Sequence, residues 1–202
     1  MSRPLPAPLR EVVEQLAALP GLGPKSALRV GLTLLRWQED RTRRLGESIA
    51  SLRDRLHLCR RCGALSEAPE CPLCQDPSRT DAELCVVADW DGILAMEEMG
   101  GYRGRYLVLG GLLAPLDGVE ASSLDWERLE NILHQGRVQE IILALGSTLD
   151  AEATATLVAR RVRERFPQVR ITRLAQGIPL GADIKYVDSE TLKQSLKYRQ
   201  EL

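Results

Sequence analysis

A chain of 202 residues, 44% apolar and 27% charged, is long enough to bury a sizeable core in one or two domains and has the composition of an ordinary soluble globular protein. No segment reaches the roughly 20 apolar residues of a membrane-spanning helix, and Met-Ser-Arg-Pro-Leu-Pro-Ala-Pro at the start has no apolar run of a secretory signal, so a cytoplasmic location is expected. The formal charge of −1 hides an asymmetry: residues 1–61 carry 12 Lys+Arg against 6 Asp+Glu, and the rest carry 15 against 22. A basic front favours a polyanionic partner, and an acidic back favours solvation or a protein partner.

Apolar residues at Leu9, Val12, Val13, Leu16 and Leu19 have the spacing of one helix face. The stretch Leu19-Pro-Gly-Leu-Gly-Pro-Lys-Ser-Ala27 follows. Gly21 and Gly23 permit a tight turn around Leu22, and Pro24 suits the first position of a second helix running to about Trp37. Amides at that helix start, beside glycines without side chains, form a nest for a phosphate. Lys25 and Arg29 lie four apart and project from one face. The arrangement is that of a helix-hairpin-helix that grips nucleic-acid backbone without reading bases. A third helix, roughly Thr42 to His57, carries Leu45, Ile49, Leu52 and Leu56 on one side, with His57 near its end.

Cys59-Arg-Arg-Cys62 and Cys71-Pro-Leu-Cys74 form two C-x2-C turns separated by eight residues. Two such turns bring four thiolates to one tetrahedral ion, and zinc suits an all-sulfur shell. Four protein ligands leave no open coordination position, which makes the zinc structural rather than catalytic. The fifth cysteine, Cys85, sits in Leu84-Cys-Val-Val-Ala88 as a core-facing strand residue. Its odd number argues against a disulfide framework.

Beyond Asp81 the periodicity becomes β-α-β-α. Strands are predicted at 84–88, 106–109, 140–145 and 169–174, with helices over 93–99, 124–133 and 151–166. This order predicts a mostly parallel sheet with helices on both faces and functional residues near the carboxyl ends of the strands. A further strand over 183–187 and a helix over 189–198 complete the pattern. The expected domains are 1–58 (helix-hairpin-helix), 59–80 (zinc knuckle), 81–176 (α/β) and 177–202 (a C-terminal segment for self-association).

Taken together, the hairpin, the four-cysteine knuckle and the α/β domain resemble the RecR family of bacterial recombination mediators over nearly the whole chain. The strings that carry the resemblance include Leu19–Ala27, the four cysteines, Asp76-Pro-Ser-Arg79 and Tyr102-Arg-Gly-Arg-Tyr106. Leu113-Ala-Pro-Leu-Asp-Gly118, Glu152-Ala-Thr154 and Gly177-Ile-Pro-Leu-Gly181 extend it. The resemblance implies a Toprim fold for the α/β domain and a non-enzymatic role. It implies assembly into dimers or ring-like tetramers that enclose DNA, with Gly21, Gly23, Lys25 and Arg29 as the DNA contacts. It also implies partnership with RecO, and with RecF as a further partner, in loading RecA on gapped or single-stranded DNA, and a zinc ion that holds the hairpin against the α/β domain. Toprim enzymes hold a divalent metal with a Glu after the first strand and a later Asp-x-Asp. Here Ala88 and Gly92 occupy the family's Glu-x-x-x-Asp positions, and Leu145-Gly-Ser-Thr-Leu-Asp150 has no Asp-x-Asp. The alternative, a metal-dependent nuclease or primase-like enzyme, would rely on Asp89, Asp91, Asp117 or Asp150.

Overall fold

Pro24 lacks an N–H that a first helical residue would leave unpaired anyway, so it starts a helix at no hydrogen-bonding cost. The structure, a computed structural model, describes residues 5–114 and 119–199. In it the first unit, up to Arg55, contains α1 (Ala7–Ala17), α2 (Pro24–Arg36), α3 (Glu39–Ala50) and α4 (Leu52–Arg55). Gly21 has φ +79°, the left-handed conformation that closes the turn between α1 and α2. The two helices pack through Val13, Ala27 and Gly31, and a Cβ added to Gly31 would lie 3.1 Å from Leu9 Cδ1. The small residues let the helices approach closely. Little else is buried in this unit: Leu35, Ile49 and Leu52 remain exposed.

The continuous helix expected over 42–57 divides instead. Ser51 ends α3, α4 is a single turn, and His57 lies in β1 (His57–Leu58), paired antiparallel with β2 (Leu65–Ser66). Backbone partners offered by Ser66 and Leu65 take over from the helix, and the chain straightens before Cys59.

The second unit, from Leu56 on, continues through α5 (Pro72–Gln75) and β3 (Glu83–Val87) to α6 (Trp90–Glu98) and β4 (Arg105–Val108). It then runs through α7 (Trp126–His134), β5 (Glu140–Ala144), α8 (Leu149–Arg165), β6 (Arg170–Arg173) and α9 (Ser189–Lys197). Four strands form an all-parallel sheet in the order β4-β3-β5-β6, with Val87 opposite Val108 on one side and Ala144 on the other. Alternation on β3 sends Leu84 and Val86 to one core and Cys85 and Val87 to another. The first core receives Trp126, Leu129 and Leu133 from α7 and Val158 and Val162 from α8. The second receives Ile93 from α6 and the four knuckle cysteines. Each fully buried Leu, Val or Ile contributes roughly 1.5–3 kcal/mol. The sheet is therefore flanked by helices on one face and by a helix beside the knuckle on the other.

The strand expected over 183–187 is absent. Ile184–Tyr186 forms a 3-10 turn, because the Asp183 carboxylate accepts from the Lys185 N–H and curls the backbone. Ile184 and Tyr186 face solvent.

Close packing at Gly104 yields a stability prediction. A Cβ there would stand 2.8 Å from the Glu83 carbonyl oxygen and closer still to the Tyr102 ring. Gly104→Ala should lower stability by about 1–3 kcal/mol in urea unfolding. Gly46→Ala, on α3 with nothing within 4 Å, should be neutral or stabilising by up to about 1 kcal/mol.

Candidate functional site

Cys59 and Cys62 are set by a turn in which the Cys59 N–H donates to Ala64 O (2.7 Å) and the Gly63 N–H to Cys59 O (2.9 Å). Gly63 has φ +76°, so the turn depends on glycine. Cys71 precedes α5, which Pro72 opens, and Cys74 lies within it. The four Sγ atoms lie within 4.8 Å of one another, with Cys59–Cys74 at 3.8 Å and Cys62–Cys71 at 3.5 Å. A tetrahedral ion with Zn–S bonds of about 2.3 Å separates its sulfurs by about 3.8 Å. The spacing and the all-thiol donor set fit a structural zinc. Without a cation the sulfurs compete for charge. The Cys62 and Cys74 thiols hydrogen-bond to Cys71 and hold its pKa down. Sharing with Cys71 raises Cys62, and sharing with Cys62 and Cys71 raises Cys74. A dication lets all four ionise together. His57, exposed in β1, stays outside this shell.

Arginines and backbone bonds fix the knuckle to the sheet. Arg105, at the start of β4, donates through Nη1 to the carbonyls of Leu73 (2.9 Å), Cys74 (3.1 Å) and Asp76 (3.1 Å), and through Nε to Asp81 (2.8 Å). The last carbonyls of α5 thus meet a cation, as a helix C-terminus favours. Arg79, almost fully buried, pairs with Glu97 of α6 (2.5 Å) and donates to Gly104 O (3.2 Å). Its guanidinium lies 5.5 Å over the Tyr106 ring, whose hydroxyl donates to the other Glu97 oxygen (2.6 Å). The Val108 N–H donates to Cys62 O (2.8 Å), so the knuckle also caps the outer edge of β4. Sequence reasoning named the strings around Arg79 and Arg105 but not this network, because the partners Glu97, Asp81 and the knuckle carbonyls lie far along the chain.

In the hairpin, Lys25 and Arg29 are both exposed, and neither is in an ion pair among the described residues. The nest is smaller than the run from Gly21 to Lys25. Pro24 has no N–H and the Leu22 N–H donates to Leu19 O (3.1 Å). The first intrahelical bond comes from Ala27, to Gly23 O (3.0 Å). The Lys25 and Ser26 N–H groups are left at the helix start beside the Lys25 side chain.

The acidic candidates do not converge. Asp89 is the N-cap of α6 and accepts from the Gly92 N–H (3.3 Å). Asp91 is exposed in the first turn of α6, and Asp150 in that of α8. Asp117 falls outside the described residues. Among the described residues, the four cysteines are the one group of His, Cys, Asp and Glu close enough to share a metal. A Cβ on Gly92 would sit 2.8 Å from Val87 Cβ, so α6 lies directly on β3 where the family's second acid would stand. Other family-like residues also have structural partners. The buried Thr154 hydroxyl accepts from the Leu113 N–H (2.8 Å) and donates to Asp150 O (2.6 Å), and Glu152 accepts from Arg173 (2.7 Å) and Gln176 (3.1 Å).

Four family models match in succession: RecR, helix-hairpin-helix over 9–52; RecR, four-cysteine zinc finger domain over 56–76; Toprim domain over 82–175; and RecR, C-terminal over 177–200. Recombination protein RecR of Nitratidesulfovibrio vulgaris is 55% identical over 198 residues, covering 98% of each chain. That of Maridesulfovibrio salexigens is 52% identical over the same share, and that of Psychrobacter cryohalolentis is 42% identical over 96% of this chain and 98% of its own.

Purified protein should carry one zinc per chain by atomic absorption, and Cys71→Ser should lose it and unfold the second unit's knuckle side. Acid should act in two stages. Thiolate protonation releases the metal first. Arg105, then Arg137, hold the Asp81 pKa below its usual value of about 3.9, so its stabilising pairs persist above that value and are lost only as pH falls further. Zinc release and tryptophan fluorescence followed from pH 7 to 2 should separate the two steps.

Proposed function

This chain belongs to the RecR family, and we propose that it acts in recombination and repair by closing on DNA rather than by bond chemistry. Membership places it among recombination proteins and not among Toprim enzymes. The observation that carries the mechanism is the start of α2: two glycines without side chains, and amides and the cations Lys25 and Arg29 that have no partner among the described residues. Phosphate is the ligand such a surface favours. With no base-reading element in the hairpin, contact is indifferent to sequence.

Self-association completes the clasp. The first unit buries only Val13, Ala27 and Gly31 in its helices while Leu35, Ile49 and Leu52 stay exposed, and the C-terminal segment exposes Leu180, Tyr186 and Leu196. Apolar surface at both ends supports a homodimer or ring-like homotetramer. Such a clamp works in the cytoplasm with RecO, and with RecF as a further partner, to load RecA on gapped or single-stranded DNA. The acidic remainder of the chain offers a surface for protein rather than nucleic acid. No helix among the described residues is long and apolar enough to cross a membrane.

Lys25→Ala with Arg29→Ala should weaken binding to a fluorescent dT oligonucleotide at least about tenfold at low salt. The slope of log K against log salt should shrink by about 1.4, since each lost cation releases about 0.7 counterions from a single strand. Both side chains are exposed, so the melting temperature should not move; unchanged affinity would remove the hairpin from the mechanism. Leu35→Glu should lower the solution mass measured by sedimentation equilibrium.

A further inference from the structure

A second concentration of positive charge lies away from the hairpin, in the unit that contains the sheet. A cleft of about 280 Å³ opens beside the knuckle and α7. Five guanidiniums line it, from Arg60, Arg61, Arg105, Arg128 and Arg137, against three carboxylates, from Asp81, Asp125 and Glu127. Five cations against three anions leave the lining with a net charge of +2.

The guanidiniums divide into fixed and free. Arg105 is held by Asp81 and three carbonyls through Nε and Nη1. Arg128 pairs with Asp125 and donates through Nε to Arg60 O (3.2 Å), which ties α7 to the knuckle. Asp81 draws three arginines to one point: Arg105 at 2.8 Å, Arg137 at 3.1 Å and Arg61 at 3.9 Å. The Arg60 side chain, exposed, has no ion-pair partner among the described residues, and Arg137 keeps most of its side chain in solvent. One carboxylate at the centre of three cations leaves spare donor capacity around it.

We propose that this cleft is a phosphate-binding site, in which Arg60, Arg61 and Arg137 receive the phosphate group of a nucleic-acid strand or of a free nucleotide, with Arg105 fixed as part of the wall behind them. The guanidinium fork matches a tetrahedral oxyanion, and bidentate Arg–phosphate bonds are among the strongest charge-assisted pairs. The volume lies at the small end of ligand sites, enough for one phosphate with part of its sugar and base. Ile132 and Val138 supply an apolar wall, and Asn131 and Gln135 supply amides. An acidic peptide suits the cleft less well, because a carboxylate presents two acceptor oxygens to the arginine forks where a terminal phosphate presents three. The assignment of a strand as natural ligand rests on the DNA-binding role proposed above; the site itself does not.

The test uses zinc-loaded full-length protein and three probes, inorganic pyrophosphate, a nucleoside triphosphate and a fluorescent dT oligonucleotide, at low salt, with oligoglutamate as competitor. Arg60→Ala with Arg137→Ala removes the two most accessible cations and leaves the Arg105 strut in place. Zinc content should be unchanged, the melting temperature should fall by no more than about 4 °C for loss of the exposed Arg137–Asp81 pair, pyrophosphate binding should fall at least about fivefold, and the matched control Arg160→Ala with Arg163→Ala, on α8, should have no effect on binding. Loss of both pyrophosphate and oligonucleotide affinity supports a strand as the source. Loss of pyrophosphate and nucleoside triphosphate affinity, with oligonucleotide affinity kept, supports a free nucleotide. The proposal is overturned if pyrophosphate does not bind, if the α8 control loses as much affinity, or if oligoglutamate competes as well as pyrophosphate at equal charge. The variant with Lys25 and Arg29 replaced reports on the hairpin alone, so failure at one site is distinguishable from failure at the other.

Discussion

Four thiols within 4.8 Å of one another cannot all ionise unless a cation sits among them, and this electrostatic fact governs the second unit. With a dication the four become a cross-link between Cys59–Cys62 and Cys71–Cys74, worth about 10–16 kcal/mol of apparent binding energy in small peptides. The consequences run outward. The chain must leave the helix before Cys59, so His57 and Leu58 pair with β2. The sulfurs are apolar enough to serve as core and pack on Cys85, Val87 and Tyr106. The knuckle thereby takes the place of a second helix on one sheet face, and through Cys62 O it occupies a hydrogen-bonding position at the edge of β4.

The same constraint explains how the arginines are used. A metal knuckle offers many backbone carbonyls and few side chains, so it is best held by donors. Arg105 supplies contacts to three such carbonyls, and Arg61 donates to Cys74 O (3.1 Å) as well. Arg79 extends the hold to α6 through Glu97 and Tyr106. Arg79 and Arg105 are paired where they stand, with Glu97 and Asp81, and add little to the long-range field. Lys25, Arg29 and Arg60 face solvent without a partner among the described residues, and they carry the field that a polyanion would feel.

Much of this was legible in the amino-acid order. Paired C-x2-C turns identify the ligands because tetrahedral zinc chemistry admits few spacings, and Gly21 shortly before Pro24 marks the hairpin because few residues tolerate its left-handed backbone angle. The parallel sheet follows from the β-α-β-α period. What was not legible depends on partners far along the chain. No local signal says that the helix before Cys59 must stop for a strand partner at Leu65–Ser66, or that Asp183 curls the backbone where alternation suggested a strand. Tertiary partners sort Arg79 and Arg105, held by Glu97, Asp81 and backbone carbonyls, from the exposed Arg60 and Arg137. The convergence of five arginines on one cleft draws on the knuckle, β4, α7 and the turn before β5, segments that stand far apart along the chain.

The end of β3 shows why a fold can outlast its chemistry. The Toprim pattern of metal-binding enzymes has carboxylates at the carboxyl end of the first strand. Here Gly92 lets α6 settle onto Val87, and Asp89 turns its carboxylate to the helix start to cap the Gly92 amide. Restoring an acid at position 92 would drive a Cβ to within 2.8 Å of Val87, so the helix would have to move before a ligand could form. Moving α6 would in turn shift Glu97, and with it the Arg79 and Tyr106 contacts that hold the knuckle. The space a catalytic metal would need has become part of the support for the structural one.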